Sequence, residues 1–531
     1  MNRSIRIIVH FGRIHKRCIH SIIIPSWVLV LFLLLDCGET DTGRYETIHR
    51  PPTLHPDYAS TVIPPNIAPL NFKIEEPGDR YRVKIHSGTG GPILIFSRSA
   101  SIEIPIKPWK RLLNANRGKE LIVEISVRKD GEWRCFEALI LRIANEKIDE
   151  CLVYRLIKPV FNLWKNMGIY QRNLETFEEK ALLRNSLLSN CINCHSFCNH
   201  SPSRWSLQMR YSPGGLLLAR NDSVINVNSR TSINQFPTAY TAWHPEGEVI
   251  AFSVDQVAQF FHAKGENRDV IDMSSDLMLY RIDSDSMTTS VKIASPDRME
   301  TLPDWSPDGK YLYFCSAPRL DSTFSVKDHY SKIRYDLMRI PYDIRKNTFG
   351  NLETVLSSAE MNKSLSHPKV SPDGRFLLFC MADYGYFTIY RPESDLCMMD
   401  LDTGDIHTLP VNSALCESYH SWSSNSRWFV FSSKREDGIC ARPYFAYVDT
   451  NGQTYKPFAL PQKNAFFYDD YWITYNLPEL VAGQVPTHER TLIEAVKRID
   501  KIVNAKPLSE RSSERLSSPA SVDAREWQKK L

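Results

Sequence analysis

Residues 189–200, SNCINCHSFCNH, gather three cysteines and two histidines within one polar stretch. Cys191-Ile192-Asn193-Cys194-His195 fits CxxCH, the attachment signature of haem c. Two thiols three positions apart reach the two vinyl groups of one porphyrin, and the adjacent imidazole of His195 takes the iron from one face. The distal ligand is then sought downstream. Met209 is the first candidate, because a 14-residue loop can pass round a porphyrin edge, with His200 and His244 as alternatives. Three other readings stay open. Cys191, Cys194, His195, Cys198 and His200 offer donors for zinc or copper, although small zinc sites separate two ligand pairs by a longer loop. A CxxC pair can form a redox disulfide, although that motif opens a helix in a thioredoxin-like unit. A chance cluster of cysteines in a linker is the fourth.

The elements around the motif decide how it is presented. Upstream, residues 172–190 pair Thr176 with Glu179 as a capping box. Leu182, Leu183, Leu187 and Leu188 follow at helical spacing. A helix is expected there, making residues 166–204 a short helical CxxCH insert. Downstream, four segments align without gaps: WHPEGEVIAFSV from Trp243, WSPDGKYLYFCS from Trp305, VSPDGRFLLFCM from Val370 and WSSNSRWFVFSS from Trp422. Each carries a phenylalanine nine residues on (Phe252, Phe314, Phe379, Phe431). Pro-Asp-Gly closes a tight turn, because Pro presets φ and Gly accepts a positive one. A strand-rich unit of this kind hides its apolar faces by radial stacking, which makes a β-propeller over about 205–475. Five blades are expected, with six the main alternative. A weaker match, RYSPGGLLLARND, reads as a partial blade closed by C-terminal strands such as FFYDDYWITYNL.

This repeat resembles the Pro-Asp-Gly, WD-repeat-like family of TolB-like propellers. The wider stretch GIYQRNLETFEEKALLRNSLLSNCINCHSF resembles Bacteroidetes-type lipoproteins that join a β-sandwich, CxxCH and TolB-like repeats. The resemblance implies a periplasmic or outer-membrane protein, with the propeller as a docking platform for envelope proteins. It settles no substrate or reaction.

The N-terminus agrees with export. Five basic residues precede an apolar run from Ile22 to Leu35, the length of a signal h-region and short of a bilayer span. Leu34-Leu35-Asp36-Cys37 resembles a lipobox with Cys37 as the lipidated residue, departing from it at Asp36, where a small residue is usual. Residues 1–37 are thus read as signal and 38–70, rich in Pro, as a tether. Short runs of period-two patterning over 71–165, with an Asp130-Gly131 hairpin turn, read as an immunoglobulin-like β-sandwich. Residues 476–531 read as one helix, with Leu492, Val496, Ile499 and Val503 on one face, followed by a disordered tail. The fold expected is mainly β.

A net charge of +4 over 531 residues, with dispersed basic groups, does not indicate a nucleic-acid partner. No G-x-S-x-G, H-E-x-x-H or Walker loop is present. The acidic runs DSDS at 283–286 and DLDTGD at 400–405 fall where hairpins turn, so turn chemistry accounts for them ahead of calcium. Tyr384, Tyr386 and Phe387 could line a propeller mouth, though such aromatics more often pack within a blade. The expectation is a membrane-tethered, monomeric c-type haem protein that transfers electrons or senses redox state. Its alternative is a non-enzymatic propeller interaction module in which CxxCH is structural, vestigial or metal-binding.

Overall fold

A computed structural model describes residues 44–158, 164–188, 190–210, 215–221, 223–260, 269–319 and 329–508. Residues 1–37, expected to be an export signal ending at Cys37, and the residues beyond 508 lie outside them. No helix among the described residues is long and apolar enough to cross a membrane.

Alternation builds the N-terminal domain. Arg80–His86 buries Tyr81, Val83 and Ile85 on one face, and Glu120–Lys129 buries Leu121, Val123 and Ile125. These strands pair within a seven-stranded sheet that shares one core with a three-stranded sheet (Leu54–His55, Phe72–Ile74 and Ser101–Ile102). The Asp130-Gly131 turn forms as expected, with φ of 53° and 84°. Two expectations are corrected. From Tyr45 onward the Pro-rich stretch is part of the domain and no tether: Tyr45–Ile48 pairs with Glu132–Phe136, and Val62, Ile63, Ile67 and Leu70 are buried. Proline restricted the backbone, but these apolar residues anchor it. A helix, Ile106–Ala115, also interrupts the strands and buries Trp109, Leu112 and Leu113 at helical spacing.

Among the described residues, the strands beyond this domain form a propeller of six blades, each built on four strands. Their inner strands are Ile192–Phe197, Thr238–Trp243, Arg298–Trp305, Ser364–Val370, Glu417–Trp422 and Thr474–Val481, for blades 1 to 6. Each packs on the next, and the sixth packs on the first, closing the ring. Blade 6 joins distant pieces: Thr474–Val481 pairs with Cys151–Ile157, which continues to Gly168–Asn173 and Glu179–Arg184. The helix expected over 172–190 is therefore absent. Thr176 instead holds a turn, with its Oγ1 accepting the Glu178 N–H. Leu182 and Leu183 are both buried, on a strand covered by the C-terminal helix Glu489–Lys497. That helix is shorter than expected. Val503 leaves it to pair with Val227, so residues 503–507 add a fifth strand to blades 1 and 2. The RYSPGGLLLARND segment supplies Leu216–Arg220 to blade 1, and FFYDDYWITYNL supplies the first half of the closing strand Thr474–Val481, which joins blade 6 rather than blade 1.

Two kinds of hydrogen bond join the blades. Trp243 Nε1 donates to Ser196 O of blade 1 at 3.2 Å, and Trp422 Nε1 donates to Lys369 O of blade 4 at 3.0 Å. Blades 4, 6 and 1 have Val370, Leu480 and Phe197 in that position, with no indole. There the preceding blade supplies a side-chain oxygen to the backbone N–H: Asp304 to Val370 at 3.2 Å, Ser421 to Leu480 at 3.4 Å and Glu479 to Phe197 at 2.9 Å. Trp305 is the exception, since its buried Nε1 has no partner. A net hydrogen bond contributes about 1 kcal/mol. Trp422→Phe should therefore cost roughly 1 kcal/mol more than Trp305→Phe, measured as the difference in urea unfolding free energy.

Candidate functional site

Where the six inner strands converge they enclose a cavity of about 430 Å³. It is lined from Cys194 and Tyr240 at one end to Asn199, Pro307 and Ser424 beside the Pro-Asp-Gly turns at the other. The inner strands have their pairing shifted at one register. In five of them a residue there takes a left-handed backbone: Tyr240, Leu302, His367, Tyr419 and Leu477, with φ between 42° and 55°. Such a conformation costs a non-glycine residue about 1–2 kcal/mol. Because it recurs in five blades, the strain belongs to the architecture. Cys194 holds the sixth position without it.

The next position along each strand holds Thr241, Pro303, Pro368, His420, Pro478 and His195, and the one after holds Ala242, Asp304, Lys369, Ser421, Glu479 and Ser196. His420 Nε2 donates to Leu378 O of blade 4 at 3.1 Å, bridging two blades. His195 takes the same place at the seam between blades 6 and 1. Its ring nitrogens lie near the carbonyls of Val153 and Leu477 of blade 6 but do not reach hydrogen-bond geometry, and Nε2 is 3.8 Å from Glu479 Oε2. Burial pushes both imidazoles down to about 3, so both are neutral at physiological pH. Burial raises Glu479 to about 7. Lys369 and Asp304 form an ion pair at 2.7 Å, in which burial opposes the Lys369 charge and Asp304 more than restores it.

The seam carries a further fixture. Arg155 is buried, donates to Asn193 and to Asn476 Oδ1, and has an unpartnered Nε. The matching positions in blades 2 to 5 are Ser253, Cys315, Cys380 and Ser432. Away from the turns, aromatic rings close the cavity: Tyr240 meets Tyr386 at 5.9 Å, and Tyr419 meets Phe387 at 6.1 Å and His367 at 4.9 Å. Tyr386 is buried and Tyr384 stacks on the Arg391 guanidinium, so these aromatics serve packing.

The motif residues part company here. Cys194 and His195 line the cavity, whereas Cys191 is buried with Ile157 and Met167. Met209 pairs with Ile192 and sits in the core with Trp205 and Leu207, away from the cavity lining. Cys198 points its thiol at His244 O, His200 Nδ1 donates to Leu480 O, and His244 Nε2 donates to Gly309 O. A covalently held porphyrin needs both thiols and the imidazole around one space, and these residues as placed do not fit it. Among the described residues, no group of three or more His, Cys, Asp or Glu is placed to hold a metal ion. Cys135 and Cys151 are both free thiols. The acidic runs act as turns, with Asp400 Oδ1 accepting the Asp402 N–H and Tyr280 donating to Asp285.

Sequence reading missed Arg155, Asp304, Lys369, His367, His420 and Glu479. One signal was available: Cys194-His195-Ser196-Phe197 matches Tyr419-His420-Ser421-Trp422, which extends the repeat three residues upstream of its tryptophan.

No family model and no curated protein matches the chain. Among solved structures, it is similar to a putative 6-phosphogluconolactonase from Bacteroides uniformis, at 12% identity and TM-score 0.31, covering 73% of this chain and 98% of that one. It is also similar to a nidogen/laminin complex chain, at 10% identity and TM-score 0.34, covering 62% and 99%. For prolyl oligopeptidase B from Galerina marginata the values are 11% and 0.32, and this chain spans 42% of that one. Overlap this loose adds nothing to the architecture, which rests on the strand pairing itself.

The sign of the His195 contribution follows from its neutral, buried state. Its folded pKa lies below the unfolded value of 6.5, so its share of stability is present above about 6.5 and is lost as pH falls towards 3. Glu479, with a raised folded pKa, acts oppositely as pH rises from 4.5 through about 7. His195→Gln should remove the first effect alone. Between pH 6 and pH 4 the variant should lose about 1 kcal/mol less per pH unit than the parent, followed by urea denaturation.

Proposed function

We propose that the chain is an exported, lipid-tethered, non-enzymatic interaction module of the cell envelope, with a TolB-like propeller in which CINCH serves as the inner strand of the first blade. The observation that carries this reading is the shared register of His195 and His420. It gives His195 a blade-bridging position and leaves Cys191 and Cys194 facing different surroundings. The polar cavity, with its mouth beside the Pro-Asp-Gly turns, has a size suited to a partner's side chain or a small polar ligand.

The deciding experiment is expression of the exported form in a host with haem-attachment machinery. A pyridine haemochrome spectrum should be blank, and peptide mass analysis should find Cys191 and Cys194 unmodified. A haem-bearing peptide would overturn the reading in favour of a c-type haem protein. Met209→Ala should lower stability by roughly 2–5 kcal/mol, as for a buried Met, read by urea unfolding. Tethering is tested separately. Cys37→Ser should move the protein from the membrane to the soluble fraction, and persistence in the membrane fraction would remove lipidation from the proposal.

A further inference from the structure

The hairpin Val249–Phe260 with Asp269–Arg281 outgrows its blade. The inner strand of blade 2 pairs with it only from Ile250 to Val254, while the hairpin's own pairing continues to Phe260. Its projecting part lies over blade 3, where Ile271 packs with Met299, Leu302 and Tyr335, and Asp269 is bonded by Arg391 of blade 4.

At the base of this projection two aspartates from the paired strands come together. Asp272 is fully buried, and its Oδ2 accepts the Tyr335 hydroxyl at 3.2 Å. Asp255 Oδ2 accepts the Ser253 hydroxyl at 3.2 Å. The other oxygen of each carboxylate is buried without a partner. The Ser275 and Tyr386 hydroxyls also face Asp272. Both side chains are buried, and neither oxygen has a hydrogen-bond partner. No lysine or arginine is paired with either carboxylate among the described ion pairs; the Arg210 guanidinium acts on Asp255 only through its field. A buried carboxylate is costly unless it is protonated or meets a cation, and two together double the need. Burial holds both carboxyls above their usual range, and the neighbouring Asp272 charge raises Asp255 further.

We propose that Asp255 and Asp272 form a site for one hard divalent cation, with the Ser275 and Tyr386 hydroxyl oxygens as neutral donors. All four donors are oxygen, the chemistry that calcium-like ions take and softer metals do not prefer. The site joins blade 2 to the blade 4 loop that carries Tyr386. An ion there fastens the projecting hairpin to the aromatic rings that close the cavity. The proposal is independent of whether the cavity binds a partner.

Terbium tests it directly, because a tyrosine beside the ion sensitises its emission and Tyr335 and Tyr386 adjoin the site. The full chain is freed of metal with chelator and titrated with terbium, then with calcium as competitor. Tyrosine-sensitised emission saturating at one ion per chain, displaced by calcium, is expected. Asp272→Asn and Asp255→Asn should each weaken binding by about tenfold or more, while Asp402→Asn in the blade 4 turn should not. Folding of each variant is checked by near-ultraviolet circular dichroism. Absence of sensitised emission from the folded parent, or emission that survives both substitutions, overturns the proposal and leaves a proton shared between the two carboxyls.

Discussion

Everything in this propeller depends on one strand pairing, that of Thr474–Val481 with Cys151–Ile157. A ring of sheets buries its inner faces only when it is closed. Here closure joins the last strand of the propeller to three strands that precede its first blade. The seam is correspondingly reinforced. Arg155 reaches from blade 6 to Asn193 of blade 1, Glu479 accepts the Phe197 N–H, and His195 fills the space against Val153 and Leu477. Residues 503–507 then lie across the outer edges of blades 1 and 2.

The same economy explains why the cavity wall looks chemically rich. Asp304, Ser421 and Glu479 stand where a following blade lacks an indole, and each accepts that blade's backbone N–H in place of the indole bond. His420 and His195 are neutral because they are buried, which suits groups that meet carbonyl oxygens. Polar residues that would suggest catalysis in an open cleft are largely occupied here in holding blade to blade.

Much of this was legible in the sequence, and the rest was hidden for identifiable reasons. Trp243, Trp305 and Trp422 with their turns and phenylalanines marked the repeated blades, and alternation marked the N-terminal strands. Blade 6 was hidden because its two parts lie far apart in the chain. Blade 1 showed only as the partial blade RYSPGGLLLARND, because it has neither the tryptophan nor Pro-Asp-Gly. Leu182, Leu183, Leu187 and Leu188 fit a helix by spacing alone, and only a cover on both faces of the strand allows adjacent leucines to be buried there. At the site, composition drew attention to Cys191, Cys194 and His195, whereas register with Tyr419-His420-Ser421 gives His195 its neighbours. Asp304, Lys369 and Glu479 could not be found by residue type, since the equivalent position holds Ala, Asp, Lys, Glu or Ser from blade to blade.

The discontinuous sixth blade also sets an order of events at the ribosome. Glu179–Arg184 is complete about 290 residues before Thr474 is made. At ~5–20 residues per second that is a wait of roughly 15–60 s. Throughout it, Cys151–Ile157 presents an unpaired apolar edge that any other strand of the nascent chain could occupy. The covalent order of this protein thus makes its first propeller strands the last to be satisfied, and leaves the fidelity of the whole ring to the arrival of its final segment.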